Sequence, residues 1–272
     1  MINQIIHGDC LDILMNEIYH PNKENDFNEE SIDLTFTSPP YFNAREYSQY
    51  PTYEDYLKFL KKVFTWVWTV TKEGRFCVVN TSPVIEARQS RSHQSKRYPI
   101  PFDLNTIMQD IGWDFIDDII WEKPEPSVKD RNAQFRNNRN PLTYKPNVVT
   151  EYIMVYRKKT DKLIDWNLKQ YSKHQRTQDK VLGIKKDGFL IKEPDRTNIW
   201  KIPPKSSKLH PAIFPDELVE RIIKYYSFRG DIVLDPFCGI GTTCRVAKSF
   251  LRNYIGIEQN YEYYCIAKNN LE

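Results

Sequence analysis

Residues 231 to 260 read DIVLDPFCGIGTTCRVAKSFLRNYIGIEQN. The apolar run before Asp235 predicts a strand, and the glycines of CGIG predict a tight turn. Residues 242 to 251 then predict a helix, and 253 to 257 a second strand that runs into Glu258. Strand, turn, helix and strand in this order build a parallel sheet covered by helices. The rest of the chain alternates in the same way. Further strands are expected at 4–7, 31–36, 74–80, 113–121 and 151–157, and further helices at 53–71, 102–112, 215–226 and 261–271. No helical pattern lies between the strands at 113–121 and 151–157, so they are expected to form an antiparallel pair joined by a long polar excursion. Residues 160–208 are polar, lysine-rich and weakly periodic, and read as an appendage to the sheet.

The turn itself selects a ligand. Gly239 and Gly241 let backbone approach a bound molecule, and Glu258 at the next strand end can accept hydrogen bonds from ribose hydroxyls. A dinucleotide turn would carry a third glycine where Cys244 stands, and Asp235 would repel a diphosphate. No lysine follows the second glycine, so this is not a P-loop. An acid beside the turn suits a cationic nucleoside. S-adenosylmethionine carries an ammonium, a sulfonium and a ribose, and no phosphate.

A second motif, TFTSPPYFN at residues 35 to 43, ends an earlier strand in two prolines and two aromatics. Read alone it is a proline turn that stops a ladder. It can also bind an amine. The Ser38 hydroxyl can accept one hydrogen bond, and the carbonyl of Pro39, fixed in φ, can accept a second. Pro40 stiffens the corner, and the Tyr41 ring can stack on a flat ring, which is worth about 1–3 kcal/mol. Two acceptors would draw an exocyclic nitrogen toward tetrahedral geometry and free its lone pair. The chain has no Pro-Cys dipeptide, which speaks against methylation at a ring carbon.

Composition sets the frame. The 272 residues fit one large α/β domain, and 40% hydrophobic content supplies a core. No run approaches membrane-spanning length, and MINQIIHGDCLDIL lacks a secretory pattern, so a cytoplasmic protein is expected. The five cysteines show no CxxC spacing, and neither a disulfide framework nor a metal site is expected. Net charge is only +3, but basic residues gather at 88–97, 123–145 and 201–208. Such loops are either solvated or in contact with phosphates.

DPFCGIGTT after one strand and TSPPY after an earlier one together resemble the amino-methyltransferases of DNA. The order, TSPPY before the cofactor turn, resembles their circularly permuted β class, and the resemblance covers most of the chain. It implies a Rossmann-like methyltransferase fold: a seven-stranded, mostly parallel sheet with one antiparallel strand and a polar target-recognition insertion. Residues 1–272 would form a single catalytic domain, with 124–150 and 160–208 as the segments that read DNA. The implied cofactor is S-adenosylmethionine, with no metal. IIHGDCLDIL resembles the strand whose acid meets the adenine, which brings Asp9 and Cys10 to the cofactor. HPAIFPDELVERII resembles the helix whose start closes over the methionine part, which brings Phe214. Thr37, Asp235, Pro236, Phe237, Gly239, Gly241, Thr242, Thr243, Glu258 and Gln259 complete the implied cofactor set.

Ser38, Pro39, Pro40 and Tyr41 are the implied catalytic residues. In the family, Ser at position 38 goes mostly with cytosine N4 and Asp mostly with adenine N6, so cytosine N4 is expected, in duplex DNA with the base flipped out. Asn43 is expected in the base pocket, and Arg45, Lys129, Arg131, Arg136 and Arg139 against DNA. Tyr47 and Tyr50 lie just beyond the pocket. His210 could orient a ligand, and Trp121 and Trp200 are expected in the core. Implied partners are double-stranded DNA, a second copy of the chain, and a cognate restriction endonuclease or sister methyltransferase. Adenine N6, RNA or a small amine as substrate, and a non-catalytic DNA-binding subunit, are the alternatives.

Overall fold

The computed structural model describes residues 2–18, 30–43, 49–86, 90, 92, 95–127, 137, 139–142, 144, 146–164, 166, 169, 195–205 and 214–272. Ten strands lie among them: β1 (Gln4–His7), β2 (Ile32–Thr37), β3 (Thr71–Thr81), β4 (Val84–Glu86), β5 (Lys96–Tyr98), β6 (Trp113–Glu122), β7 (Thr150–Lys158), β8 (Ile199–Lys201), β9 (Ile232–Asp235) and β10 (Asn253–Glu258). The helices that matter below are α1 (Cys10–Ile13), α2 (Tyr53–Val70), α3 (Ile100–Ile111), α4 (Asp216–Tyr226), α5 (Thr242–Ser249) and α6 (Tyr261–Asn269).

Eight strands form one sheet in the order β1-β10-β9-β2-β3-β7-β6-β8. β7 alone runs against its neighbours β3 and β6. The expected seven strands and the single antiparallel one are all present. The sheet has an eighth strand because Ile199 to Lys201, inside the segment read as an appendage, pairs parallel with β6. Its Trp200 is buried at 3% exposure, so an apolar anchor inside polar sequence docks this strand. β4 and β5 form a separate antiparallel hairpin directly after β3.

Strand alternation sends successive side chains to opposite faces. Leu234 of β9 packs into one core with α1, α2 and α3, and its neighbour Val233 into the other with α4 and α5. α2 shows why its sequence forms a helix. The Thr52 hydroxyl accepts the Asp55 N–H at 3.1 Å and caps it. Tyr56, Leu60, Val63, Phe64, Val67 and Val70 then form one fully buried stripe.

At the sheet edge where β2 and β9 begin, charges are buried in pairs. Arg75 reaches both Asp33, at 3.4 Å, and Asp231. Lys72 binds Asp33 at 2.8 Å, and Asp33 also accepts the Ile232 N–H at 2.9 Å.

Candidate active site

A cavity of about 910 Å³ opens at the opposite edge, where the parallel strands end. This is where an open α/β sheet binds its ligands. β2 and β9 are parallel neighbours, paired at Thr35 and Leu234, so the SPPY corner and the glycine turn leave the sheet side by side. One hydrogen bond ties them: Thr37 Oγ1 donates to Asp235 Oδ1 at 2.7 Å.

The turn after β9 has the geometry its glycines predict. Gly239 (φ 53°) and Gly241 (φ 80°) both sit in the left-handed region. A Cβ on Gly241 would also stand 3.3 Å from the Ala267 backbone of α6. Gly256 of β10 is small for another reason: a Cβ there would come within 2.9 Å of both the Cys238 and Cys244 sulfurs. The residue at the third glycine position therefore packs directly beneath the turn.

Two carboxylates line the cavity beside this turn. Asp235 is 2% exposed, and burial pushes its pKa up to about 6. Its Oδ1 also accepts the Phe237 N–H at 3.1 Å. Glu258 accepts the N–H groups of Gly239 and Asn260, each at 2.8 Å, and burial raises it too. Among the described residues no cation pairs with either. An acidic wall with neutral donors, and no lysine or arginine in the 235–243 turn, fits a ligand bearing positive groups and a ribose. It fits S-adenosylmethionine and not a diphosphate.

Most of the expected cofactor set lies in the wall: Asp9, Cys10, Phe214, Pro236, Phe237, Thr242, Thr243 and Gln259 join the two acids and Gly239. Thr37 is fully buried one layer behind, bonded to Asp235, and Gly241 caps α5. Asp9 also caps α1, accepting the Leu11 N–H at 2.7 Å. Burial pushes the Cys10 thiol up to about 12, which leaves it unreactive at neutral pH. Phe214 stacks on Phe36 with ring centres 4.9 Å apart.

Ser38, Pro39, Pro40 and Tyr41 line the same cavity. The Tyr41 hydroxyl donates to Glu151 Oε2 at 3.1 Å, and Asn80 Nδ2 donates to the same oxygen at 2.6 Å. Lys123 binds the other oxygen of Glu151. Burial, and then the charge of Glu151, raises the Tyr41 phenol well above its usual range, so it stays a donor. Sequence reading missed Glu151, Asn80 and Lys123. Asn80 ends near the carboxyl edge of β3, where the sheet rule points. Glu151 starts β7, and only the reversed direction of that strand brings its beginning to this edge.

Two expectations are corrected, those for Asn43 and Tyr50, and Trp121 lies in the core as expected. Asn43 is not in the cavity wall; its carboxamide holds the Tyr50 backbone, with the Tyr50 N–H on its oxygen at 2.7 Å. Tyr50 lies in the wall rather than beyond it, packed against Phe59 at 5.5 Å. Trp121 is a core residue at 4% exposure that also borders the cavity, its N–H donating to the Ile202 carbonyl at 2.7 Å. Arg139 is exposed. Arg45, Tyr47, Lys129, Arg131, Arg136 and His210 lie outside the described residues.

A mostly parallel sheet whose acidic glycine turn and SPPY corner line one cavity at its edge defines a class: an amino-methyltransferase using S-adenosylmethionine. The model of the N6/N4 DNA methylase family matches residues 32–269. The orphan methyltransferase M.BamHII of Bacillus amyloliquefaciens is 33% identical over 272 residues, covering 92% of each chain. The type II methyltransferase M.ScaI of Streptomyces caespitosus is 29% identical, covering 98% of this chain and 81% of its own. Among solved structures, a Thermus thermophilus protein assigned as a DNA modification methylase, in complex with S-adenosylmethionine, superposes with a TM-score of 0.69. It is 25% identical and covers 99% of this chain and 93% of its own. The cytosine-N4-specific PvuII DNA methyltransferase shares the fold, with a TM-score of 0.67 at 22% identity, over 98% of this chain and 85% of its own. The chain belongs to the N6/N4 DNA methylase family.

Proposed function

We propose that this DNA amino-methyltransferase acts on the exocyclic N4 of cytosine in duplex DNA, with the base flipped into the cavity. The observation that carries the reading is the cavity shared by the SPPY corner and the acidic glycine turn, joined by the Thr37–Asp235 bond. When bound, S-adenosylmethionine supplies an electrophilic methyl group on its sulfonium. Asp235 and Glu258 would hold its positive and hydroxyl groups, and Asp9, Cys10 and Phe214 would flank it. Ser38 and the Pro39 carbonyl accept the amine hydrogens, Tyr41 stacks on the ring, and the proton leaves to water. Positioning carries much of the rate. Cytosine is preferred over adenine on the Ser38 side chain.

Residues 1–272 work as one catalytic domain. The segments 124–150 and 160–208 read the target sequence, with Arg139 and the basic residues near it on phosphates. The setting is a cytoplasmic restriction–modification system with a cognate endonuclease or sister methyltransferase, and the chain pairs with a second copy.

Methylome sequencing of DNA from cells expressing the protein tests this. N4-methylcytosine at one sequence context is expected, and N6-methyladenine would move the reading to the other base. Ser38→Ala should slow labelled-methyl transfer on the order of a hundredfold. Transfer at the unsubstituted rate would remove Ser38 from the mechanism.

A further inference from the structure

The carboxylate of Glu151 has both oxygens occupied. Oε2 takes the Tyr41 hydroxyl and the Asn80 amide, and Oε1 takes Lys123. Asn80 comes from the end of β3, Lys123 follows β6 and Tyr41 lies in the proline corner after β2, and with Glu151 all of them line the cavity. The ion pair is mostly buried, with Glu151 at 14% and Lys123 at 19% side-chain exposure. A buried pair of this kind is weak evidence for stability, because desolvation offsets the attraction. Its placement is more informative.

Lys123 and Glu151 flank the polar excursion between β6 and β7. The Lys123 N–H donates to the Val149 carbonyl at 2.7 Å, and Glu122 pairs with Thr150 at the last ladder position. The ion pair thus closes the neck of the excursion from the cavity side. Lys123 Nζ also lies 4.6 Å from the centre of the Trp121 ring, which limits its freedom. From this neck, one hydrogen bond reaches the ring that faces the base.

We propose that Glu151 is a positioning residue. It holds the tip of the Tyr41 ring, and with Lys123 it ties that ring to the neck of the excursion between β6 and β7. The inference rests on the methylation reading and adds a residue to it. Both oxygens of Glu151 are engaged by the protein, and it acts through the Tyr41 hydroxyl. An aromatic platform anchored at its far end keeps one orientation, which is what a stacked base requires for in-line transfer.

A double-mutant cycle on the full chain tests this, read as methyl transfer to duplex DNA. Glu151→Gln keeps the shape and removes the charge. Tyr41→Phe keeps the ring and removes the hydroxyl. Each should lower kcat about tenfold, with the KM for S-adenosylmethionine unchanged. The double variant should fall no further than the larger single loss, because both substitutions act on the one Tyr41–Glu151 contact. Losses that multiply, or Glu151→Gln at the full rate, would overturn the proposal. So would a Glu151→Gln protein whose slower turnover comes with lost cofactor affinity, which would assign Glu151 to the fold. Should Glu151→Gln fail to fold, Tyr41→Phe removes the other end of the bond from outside β7 and must show the fall by itself. Failure of the methylation reading shows separately, as no transfer by the unsubstituted chain.

Discussion

Asp231, just before the short strand β9, and Asp235, its last residue, meet opposite surroundings. Burial and the neighbouring Asp33 push the Asp231 carboxyl up, and Arg75 pulls it back. Asp235 is also raised by burial, but its donors are the Thr37 hydroxyl and a backbone N–H. At the first end the chain neutralises its own acids with its own cations. At the second, the hydrogen-bond donors on the two acids Asp235 and Glu258 are all neutral. A carboxylate kept from water and given no cation binds a cationic ligand more strongly than one in water. The first end serves the fold and the second serves the ligand.

The largest effect should come from breaking the first end. Arg75→Met leaves Asp33 with Lys72 and takes from Asp231 the cation it is paired with, and should destabilise the chain by about 3–5 kcal/mol. Chemical denaturation measures this, and cofactor affinity of the remaining folded protein should not change. The converse holds for Asp235→Asn. Its Kd for S-adenosylmethionine should rise at least about tenfold in calorimetry, with the melting temperature equal or higher. A lower melting temperature with unchanged affinity would reverse the comparison.

The smallest effect is a pH dependence. Asp235 titrates near 6 when folded, above an unfolded value of about 4. A raised carboxyl contributes stability that is fully present below the unfolded value and lost as pH rises through the folded one. The free protein should therefore gain stability relative to Asp235→Asn as pH falls from neutral through about 6. Over the same window cofactor affinity should weaken, because the bound cation needs the charged form. Parallel melting and calorimetry series check both signs; equal slopes for the two proteins would remove Asp235 as the cause.

The elements of the sheet were largely legible in the sequence, because each announces itself locally. The apolar run before Asp235, the glycines after it and the stripe of α2 depend on near neighbours. The proline corner was legible as chemistry, since Ser38 and Tyr41 need only their own side chains. What surrounds Tyr41 was not. Glu151, Asn80 and Lys123 come from positions far apart in sequence and meet only through the registers of β3, β7 and β6. β8 escaped because Ile199 to Lys201 is three residues long and sits in polar sequence. Asn43 was misread because a carboxamide can serve its own loop as well as a base, and only the fold of that loop decides.

The outer strands of the eight-stranded sheet, β1 and β8, are four and three residues long. An exposed sheet edge is a template on which a foreign strand can polymerise. The long strands β3, β6 and β7 are all interior. A strand adding at either outer edge would find too few backbone groups to hold it. The sheet thus offers little purchase for fibre growth at high concentration.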